Sequence, residues 1–265
     1  MSRMQPNPVK AKLAAGGAAF GTMAFEFFTP SLAQIVKAAG ADFILYDMEH
    51  SGVGVETMKA QFAACRGIGL PAFVRVPATE YHFVARMLDA GALGIMVPMV
   101  ETREQAERIV SFTRYPPLGR RGAAFGVAPH DDYLPGSVTD KIAAANERTL
   151  VICLVETGVG IENVDAIAAV PGVDVVWLGH FDLTNFLGIP AQFDHPRYLK
   201  AVDDLVAACK RHGKTPGFMA ADDAWARDYR AKGFRALAYS IDVLLMQTAL
   251  AKGLATLREN EARKG

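Results

Sequence analysis

Short apolar runs alternate with longer amphipathic stretches along almost the whole chain. Eight of these runs are too short and too rich in β-branched residues for independent helices, which favours strands covered on both faces. The predicted strands span residues 18–25, 42–48, 71–76, 93–99, 149–156, 173–179, 216–220 and 235–241. Helical patterns lie between them, over residues 30–40, 55–69, 79–91, 102–114, 196–213 and 221–233. This alternation predicts a parallel sheet with helices on its faces.

The number of β–α units distinguishes the two common parallel architectures. A dinucleotide-binding sheet would carry a GxGxxG motif after its first strand, and none follows residue 25 here. A closed barrel needs eight strands in about 250 residues, and this chain has 265 residues. No internal repeat or linker interrupts the pattern. The sequence therefore predicts fold class α/β, as one (β/α)8 TIM barrel domain over residues 1–265.

Local signals mark the loops and the helix starts. Two stretches rich in Gly and Pro, residues 114–136 and 186–196, are predicted to be long loops of functional importance. Thr102 and Gln105 have the spacing of a capping box, and Thr79 with His82 is predicted to form a weaker one. Both signals place the start of a helix directly after a strand.

The overall charge argues against several classes of partner. The 28 Lys and Arg residues are balanced by 28 Asp and Glu residues, so no basic excess indicates a nucleic acid or an anionic membrane. No stretch reaches the ~18 apolar residues of a membrane span. Cys65, Cys153 and Cys209 have the spacing of neither a zinc site nor a disulfide framework, which favours a reducing, cytoplasmic location.

Polar residues end four of the predicted strands. The second strand runs into residues 47–50 (Asp-Met-Glu-His), and the third ends at Arg75. The fifth strand ends at Glu156, and the sixth continues into residues 179–182 (Gly-His-Phe-Asp). Because the reactive groups of a barrel lie at the C-terminal ends of its strands, we expect these residues to converge on one mouth.

Glu156 and Asp182 follow neighbouring strands and are candidate metal ligands. A lone carboxylate at the end of an apolar strand is costly to bury, and a cation would remove that cost. Two carboxylates with water and substrate oxygens suit Mg²⁺ or Mn²⁺. The alternative is structural: Glu156 would pair with an arginine such as Arg75, and Asp182 would cap the following helix.

Arg75 and His50 also have two interpretations each. Arg75 offers a planar fork for a carboxylate or an oxyanion, or it forms an ion pair with Asp47 or Glu49. His50 follows Asp47 by three residues, so that the carboxylate could orient the imidazole as a general base. Alternatively, His50 is an exposed loop histidine. His82, His130, His195 and His212 lie on helix or loop patterns and carry no predicted role.

Five motifs together resemble one enzyme family. They are DMEHSG (47–52), FVRVP (73–77), MLDAGALGIMVPMV (87–100), ETGVGIENVDAIAAVPGVD (156–174) and GHFDLTNFLG (179–188). In this order and spacing the chain resembles the HpcH/HpaI aldolase family of metal-dependent (class II) pyruvate aldolases, also called 2,4-dihydroxyhept-2-ene-1,7-dioate aldolases. The resemblance implies a (β/α)8 barrel whose last helix is exchanged between subunits of a homotrimer or homohexamer.

The resemblance also implies a role for each strand-end residue. Glu156 and Asp182 hold a divalent metal ion (Mg²⁺, Mn²⁺ or Co²⁺), and Arg75 stabilises the enolate oxygen of pyruvate. His50, oriented by Asp47, acts through a metal-bound water as acid and base on the aldol hydroxyl.

Two further roles follow from the same resemblance. Asp89 matches a residue that reaches into the active site of the neighbouring subunit. The loop of Gly179, His180, Phe181 and Asp182 binds the pyruvate carboxylate through its backbone N–H groups.

Three departures from the family pattern concern the substrate pocket. Bulky His180 and Phe181 replace smaller residues before Asp182, and Leu154 replaces a glutamine two residues before Glu156. Residues 123–133 read AAFGVAPHDDY, without the usual Arg-Ala pair. The expected aldehyde is therefore left open.

The expected activity is the cleavage or formation of 4-hydroxy-2-oxo acids, with pyruvate and an aldehyde as products. No lysine ends a predicted strand, which disfavours a Schiff-base mechanism. Two alternatives are an acyl-CoA lyase of the malyl-CoA or citramalyl-CoA type, for which Arg120-Arg121 is the only indication, and a metal-binding barrel without catalysis.

Overall fold

The computed structural model describes residues 4–262, with side chains described as far as residue 259. Eight parallel strands form a closed barrel in chain order. They are β1 (Ala19–Ala24), β2 (Phe43–Asp47), β3 (Ala72–Arg75), β4 (Gly94–Val97), β5 (Leu150–Val155), β6 (Val175–Leu178), β7 (Thr215–Ala220) and β8 (Ala236–Ile241). The barrel closes where β1 pairs with β8, with Ala19 opposite Ala236. All eight predicted strands and the TIM barrel are confirmed.

Twelve α-helices lie in the part of the chain that the structure describes. They are α1 (Pro8–Ala14), α2 (Pro30–Ala38), α3 (Val55–Gly67), α4 (Tyr81–Asp89), α5 (Arg103–Thr113), α6 (Val138–Arg148), α7 (Gly158–Glu162), α8 (Val164–Ala168), α9 (His180–Phe186), α10 (Pro196–Arg211), α11 (Asp223–Ala231) and α12 (Asp242–Ala262). The predicted capping box of Thr102 and Gln105 is present at the start of α5. The one predicted at Thr79 is wrong, because α4 starts one residue later and Glu80 occupies its cap position without a side-chain bond.

Alternate residues of each strand fill the barrel interior. Leu45, Phe73, Leu154 and Trp177 belong to this inner cluster, which also includes Val9 and Leu13 of α1. Helix α1 therefore closes the N-terminal end of the barrel. Since side chains alternate along a strand, the next inward positions after these four are Asp47, Arg75, Glu156 and Gly179. The inward row thus changes from apolar to polar at the C-terminal end of the barrel.

A second apolar cluster lies between the strands and the surrounding helices. It contains Tyr46, Phe62, Tyr198 and Phe218, all with about 1% exposure or less. Fully burying one large apolar side chain stabilises a fold by roughly 1.5–3 kcal/mol. All three cysteines are buried and unpaired. This double-layered core makes the strand ends a rigid platform for the mouth.

Beyond its first residues, helix α12 does not pack on the barrel of this chain. Its residues 244–259 are all exposed. They include Leu244, Leu245, Met246, Leu250, Leu254 and Leu257. On the barrel wall, Phe20 of β1 is 47% exposed and Tyr239 of β8 is 40% exposed. One face of the helix and one face of the barrel therefore lack apolar contacts within the subunit.

Among the described residues, no helix combines the length and the apolar character needed to cross a lipid bilayer.

Candidate active site

Arg75 is held at the mouth of the barrel by two carboxylates and one aromatic ring. Its Nε donates to Oδ1 of Asp47, and its Nη1 lies 3.1 Å from Oε2 of Glu49. The Arg75 Cζ lies 5.4 Å from the centre of the Phe25 ring. Asp47 is fully buried and Arg75 is 7% exposed. The structural alternative for Arg75, an ion pair with Asp47 or Glu49, is therefore present with both carboxylates, which hold two edges of the guanidinium at the strand end.

The predicted contact between Asp47 and the imidazole of His50 is wrong. Oδ2 of Asp47 accepts the backbone N–H of His50 at 2.8 Å, which fixes the turn after β2 instead of the side chain. The nearest carboxylate to the imidazole is Glu49, with Oε2 3.6 Å from His50 Nε2. The His50 side chain is 54% exposed. His50 thus stands on the rim, outside the row of inward residues.

Glu156 is buried at the end of β5, with 2% exposure. Its Oε1 accepts the backbone N–H of Met99 at 2.8 Å. Met99 has a φ of 56°, in the left-handed region that a methionine seldom occupies, and this conformation turns its N–H toward the carboxylate. The predicted alternative, an ion pair of Glu156 with Arg75, is not among the salt bridges of the described residues.

Gly179 makes room for the Glu156 side chain. A Cβ atom at this position would lie 2.5 Å from both Cβ and Oε2 of Glu156. Any larger residue at the end of β6 would therefore displace the carboxylate. Asp182 follows three residues later, in the first turn of α9, and is half-buried.

Two acidic residues of the mouth, Glu156 and Glu49, have raised pKa values. The pKa of Glu156 is raised to about 7, chiefly by burial and then by the negative charges of Glu49 and Asp182, against the effect of the Met99 N–H. Burial likewise raises the pKa of Glu49, although the charges of Arg75 and His50 act against it. The site therefore holds more negative charge than Arg75 can balance, and a proton or an added cation would relieve the excess.

His180 and Phe181 direct their rings into an aromatic cluster formed with Phe193, Phe218 and Trp225. The ring centre of His180 lies 4.8 Å from Phe181, 5.0 Å from Phe218 and 5.1 Å from Trp225. Burial lowers the pKa of His180 to about 4, so the ring is neutral at pH 7. The cluster accommodates the bulk of His180, whereas Phe181 contacts His180 and Phe193 and is 54% exposed. The contact of this loop with the pyruvate carboxylate, through its backbone N–H groups, stays a prediction.

Asp89 lies at the opposite end of the barrel from Glu156, at the C-terminus of α4. Its Oδ1 accepts from Nη2 of Arg121 at 2.7 Å and is 3.8 Å from Nδ1 of His130. Asp89 therefore takes no part in the site of its own subunit, and its role in a neighbour's site stays a prediction. Arg121 is 3% exposed, so only Arg120 of the predicted CoA-binding pair is accessible.

Two residues of the site were not named from the sequence, whereas Glu49 was named as a possible partner of Arg75. Phe25 lies just beyond β1, and Met99 acts through its backbone, which no side-chain pattern reveals. Within residues 4–262, no three His, Cys, Asp or Glu side chains form a group that could hold a metal ion by themselves.

Comparisons with known proteins agree with this geometry. The family model HpcH/HpaI aldolase/citrate lyase matches residues 22–249. A 5-keto-4-deoxy-D-glucarate aldolase of Klebsiella pneumoniae is 36% identical over 247 residues, covering 93% of this chain and 95% of that protein.

Two solved structures extend the similarity to the fold. The crystal structure of an HpcH/HpaI aldolase from Desulfitobacterium hafniense has a TM-score of 0.90 and 32% identity, covering 95% of this chain and 96% of the other. A family protein from Burkholderia cenocepacia has a TM-score of 0.88 and 35% identity, covering 95% and 99%. The resemblance inferred from the motifs, and with it the carbon–carbon lyase class, is confirmed. The chain belongs to the HpcH/HpaI aldolase/citrate lyase family.

Proposed function

We propose that the protein is a metal-dependent aldolase that cleaves 4-hydroxy-2-oxo acids to pyruvate and an aldehyde, and that catalyses the reverse addition. The observation that carries this proposal is the buried Glu156 carboxylate, which has a backbone N–H as its partner and two further acidic residues nearby. A structural carboxylate in this position would be expected to have a cationic partner. Asp182 supplies a second oxygen ligand on the neighbouring β–α unit.

The donor set fits a small divalent cation. Two carboxylates give hard oxygen ligands and leave positions for substrate oxygens and water, which suits Mg²⁺, Mn²⁺ or Co²⁺. When bound, such an ion polarises the ketone of a 2-oxo acid and stabilises negative charge on its oxygen. The excess acidity around Glu156 supports a cation at this position.

The residues of the mouth divide the remaining tasks. Arg75 places a fixed positive charge where the enolate oxygen forms, because Asp47 and Glu49 hold its guanidinium on two edges. The N–H groups at the start of α9 bind the carboxylate of the substrate. His50 stands farther out, where the C4 hydroxyl of a bound substrate would project.

The bond changes follow from these positions. Loss of the proton from the C4 hydroxyl to His50 releases an electron pair that forms the aldehyde C=O. The C3–C4 bond breaks, and its electron pair becomes the enolate of pyruvate beside Arg75. Return of a proton to C3 then gives the methyl group of pyruvate.

Diacids with a hydroxyl at C4 are the first substrates to test. This choice follows from the similarity to aldolases of 5-keto-4-deoxy-D-glucarate. Leu154 makes the inner wall of the pocket apolar, since it belongs to the inner cluster. A panel of shorter and more apolar 4-hydroxy-2-oxo acids would show whether this wall changes the preferred aldehyde.

The test is release of pyruvate from this panel with Mg²⁺, Mn²⁺ or Co²⁺, beside release of acetyl-CoA from malyl-CoA and citramalyl-CoA with the same metals. We expect pyruvate from at least one 4-hydroxy-2-oxo acid, loss of this activity in Glu156→Gln, and no cleavage of the thioesters. Cleavage of a thioester alone would identify an acyl-CoA lyase. Absence of any cleavage in metal-loaded, folded protein would support a non-catalytic barrel.

We propose further that the protein is a homo-oligomer in which α12 packs on the barrel of a neighbour. The exposed leucines of α12 and the exposed Phe20 and Tyr239 support this arrangement, since each leaves apolar surface uncovered in the single chain. Asp89 would then complete the active site of a second subunit. A trimer or a hexamer is the assembly that the family resemblance implies.

A further inference from the structure

At the mouth, a buried carboxylate connects the C-terminal ends of β1 and β8, the first and last strands of the barrel. Asp242, at the junction of β8 and α12, is 7% exposed. Its Oδ1 accepts the N–H groups of Phe25 at 3.0 Å and Val243 at 2.9 Å. Its Oδ2 accepts those of Glu26 at 2.9 Å and Phe27 at 2.7 Å. Three of these four charge-assisted bonds go to the loop that follows β1.

This loop carries the ring that covers Arg75. Phe25 packs against the inner cluster of the barrel, and its ring centre lies 5.4 Å from Cζ of Arg75. The carboxylates of Asp47 and Glu49 hold two edges of the guanidinium but leave it free to tilt about the line that joins them. A ring against its face removes that freedom and adds a cation–π attraction.

We propose that Asp242 is a positioning residue for Arg75. It holds residues 25–27 so that the Phe25 ring supports the guanidinium in the orientation that binds an oxyanion. The identity of that oxyanion, the enolate of a 2-oxo acid, rests on the proposed function. Asp242 itself touches neither substrate nor metal ligand in this scheme.

Asp242→Asn is an informative substitution because it keeps the shape of the side chain. An amide offers one acceptor oxygen and one NH₂ donor, whereas the loop presents only N–H donors. The N–H groups that donate to one of the two carboxylate oxygens of Asp242 would therefore lose their acceptor. Phe25→Leu removes the aromatic face but keeps an apolar side chain, and Phe25→Tyr restores the face.

The test uses oxalate, a planar dianion that resembles the enolate of pyruvate, titrated by calorimetry in the presence of Mg²⁺. We expect Asp242→Asn and Phe25→Leu each to weaken oxalate binding about tenfold, the order of a desolvated cation–π contact. The double variant should be no weaker than the weaker single variant, because both changes remove the same contact. Binding of Mn²⁺ without oxalate should be unchanged throughout, and Phe25→Tyr should bind oxalate normally.

Asp42→Asn is the matched control. Oδ2 of Asp42 accepts the N–H of Phe20 at 2.9 Å, so it also holds β1 through a backbone bond, but at the other end of the strand. It should leave oxalate affinity unchanged. If Asp242→Asn disturbs the assembly, as sedimentation would show, the comparison of Phe25→Leu with Phe25→Tyr still tests the support of Arg75.

Several outcomes would overturn the proposal. The first is unchanged oxalate affinity in Phe25→Leu. The second is unchanged oxalate affinity in Asp242→Asn, although amide exchange at residues 25–27 is faster. The third is a hundredfold loss of oxalate affinity in the double variant, which would show that the two changes are additive. Wild-type protein that binds oxalate but cleaves no 4-hydroxy-2-oxo acid would contradict the proposed activity. The oxalate titrations would still test the role of Asp242 in positioning Arg75. Wild-type protein that does not bind oxalate with any of the three metals would contradict both.

Discussion

Glu156 has a buried carboxylate at the inner end of β5, and Met99 donates a backbone N–H to it. The left-handed conformation of Met99 costs on the order of 1 kcal/mol or more. Strain of this kind persists where the surrounding structure enforces it, often at functional sites. Because the buried Glu156 carboxylate has a neutral N–H as its hydrogen-bond partner, its negative charge must be balanced by a bound proton or by a cation.

Metal affinity should depend on pH through this carboxyl. The pKa of Glu156 in the metal-free protein is raised to about 7, so the group is mostly protonated below that pH and must lose its proton to bind metal. We expect Mn²⁺ affinity to rise roughly tenfold per pH unit below about pH 7 and to level off above it. Titration of Mn²⁺ at several pH values measures this, and a flat profile below pH 7 would show that Glu156 is not a ligand.

The same shift has the opposite effect on the stability of the metal-free protein. Because the folded-state pKa lies above the usual value near 4.5, the protonated carboxyl stabilises the fold at low pH. This contribution is lost as the pH rises through about 7. Glu156→Gln has no carboxyl group to ionise at this position. The Tm of the wild type should therefore fall relative to the Tm of this variant as the pH rises from about 4.5 to about 7.

His50 and Arg75 should govern different steps. His50 stands on the rim with its side chain 54% exposed, whereas Arg75 is fixed at the strand end. A general base contributes roughly 10² to 10⁴ in rate, so His50→Ala should slow aldol cleavage by that factor but retain proton exchange into the methyl group of pyruvate. Arg75→Ala should lose both activities.

His212→Ala is the control for this comparison, since His212 ends α10 and forms a surface ion pair with Asp165. It should retain both activities. Equal loss of cleavage and of exchange in His50→Ala would assign His50 to enolisation, or to holding the site together, and the proposed division would be wrong.

At the scale of elements, the junction of β6 and α9 shapes the proposed metal site. Gly179 lets Glu156 approach the end of β6, and the chain turns there into the helix that carries Asp182. Between them, His180 packs into the aromatic cluster, whereas Phe181 is 54% exposed. The junction therefore combines the close approach of Glu156 on its inner side with the packing of His180 on its outer side.

Gly179→Ala should disable the site without unfolding the protein. The added Cβ would lie 2.5 Å from Glu156 Oε2, which forces the carboxylate away, and we expect Mn²⁺ affinity to fall at least tenfold. Gly158→Ala is the matched control, because its Cβ would meet only Leu187 at 3.6 Å. Normal metal binding by Gly179→Ala would show that Glu156 tolerates the displacement and is not a ligand.

Elements with a strong local pattern were predictable from the sequence. Each strand was recognised from its apolar run, and the cap at Thr102 from its side-chain spacing. The start of α4 was misplaced by one residue, because Thr79 provides a local signal that the chain does not use. Helices α1, α6, α7 and α8 were not predicted, and α12 was expected only through the family resemblance, since their burial or exposure depends on distant parts of the fold.

The part of the site that depends on the alternation of side chains along a strand was predictable. The inward positions of Asp47, Arg75 and Glu156 follow from alternation along three apolar strands. The partner of the His50 imidazole could not be predicted, because a turn of three residues leaves the direction of the side chain open. The outward packing of His180 depends on Phe218 and Trp225, which lie far along the chain.

At the scale of the whole molecule, the subunit leaves apolar surface without a partner. Leu250 is 59% exposed and Leu257 is 64% exposed on α12. Burying each such side chain would stabilise an assembly by roughly 1.5–3 kcal/mol, and the gain recurs in every subunit of a symmetric oligomer. The exposed wall at Phe20 and Tyr239 provides a surface of the same chemistry.

Charged substitutions on this helix should separate the subunits. We expect Leu250→Glu with Leu254→Glu to convert the oligomer into monomers in sedimentation velocity, and to lower activity because Asp89 no longer reaches a second site. Lys252→Ala, on the same exposed helix, should leave the assembly intact. A wild-type protein that sediments as a fully active monomer would contradict both the helix exchange and the role of Asp89.

The most direct test of the metal-dependent site is proton exchange in pyruvate alone, because it needs neither an aldehyde nor knowledge of the natural substrate. Deuterium uptake into the methyl group is followed by NMR in D₂O, with chelator-treated protein before and after Mg²⁺ or Mn²⁺ is restored. We expect exchange only after metal is restored, and none above background in folded Glu156→Gln with the same metal. Equal exchange rates with and without metal, or undiminished exchange in Glu156→Gln, would show that Glu156 and Asp182 do not hold a catalytic ion.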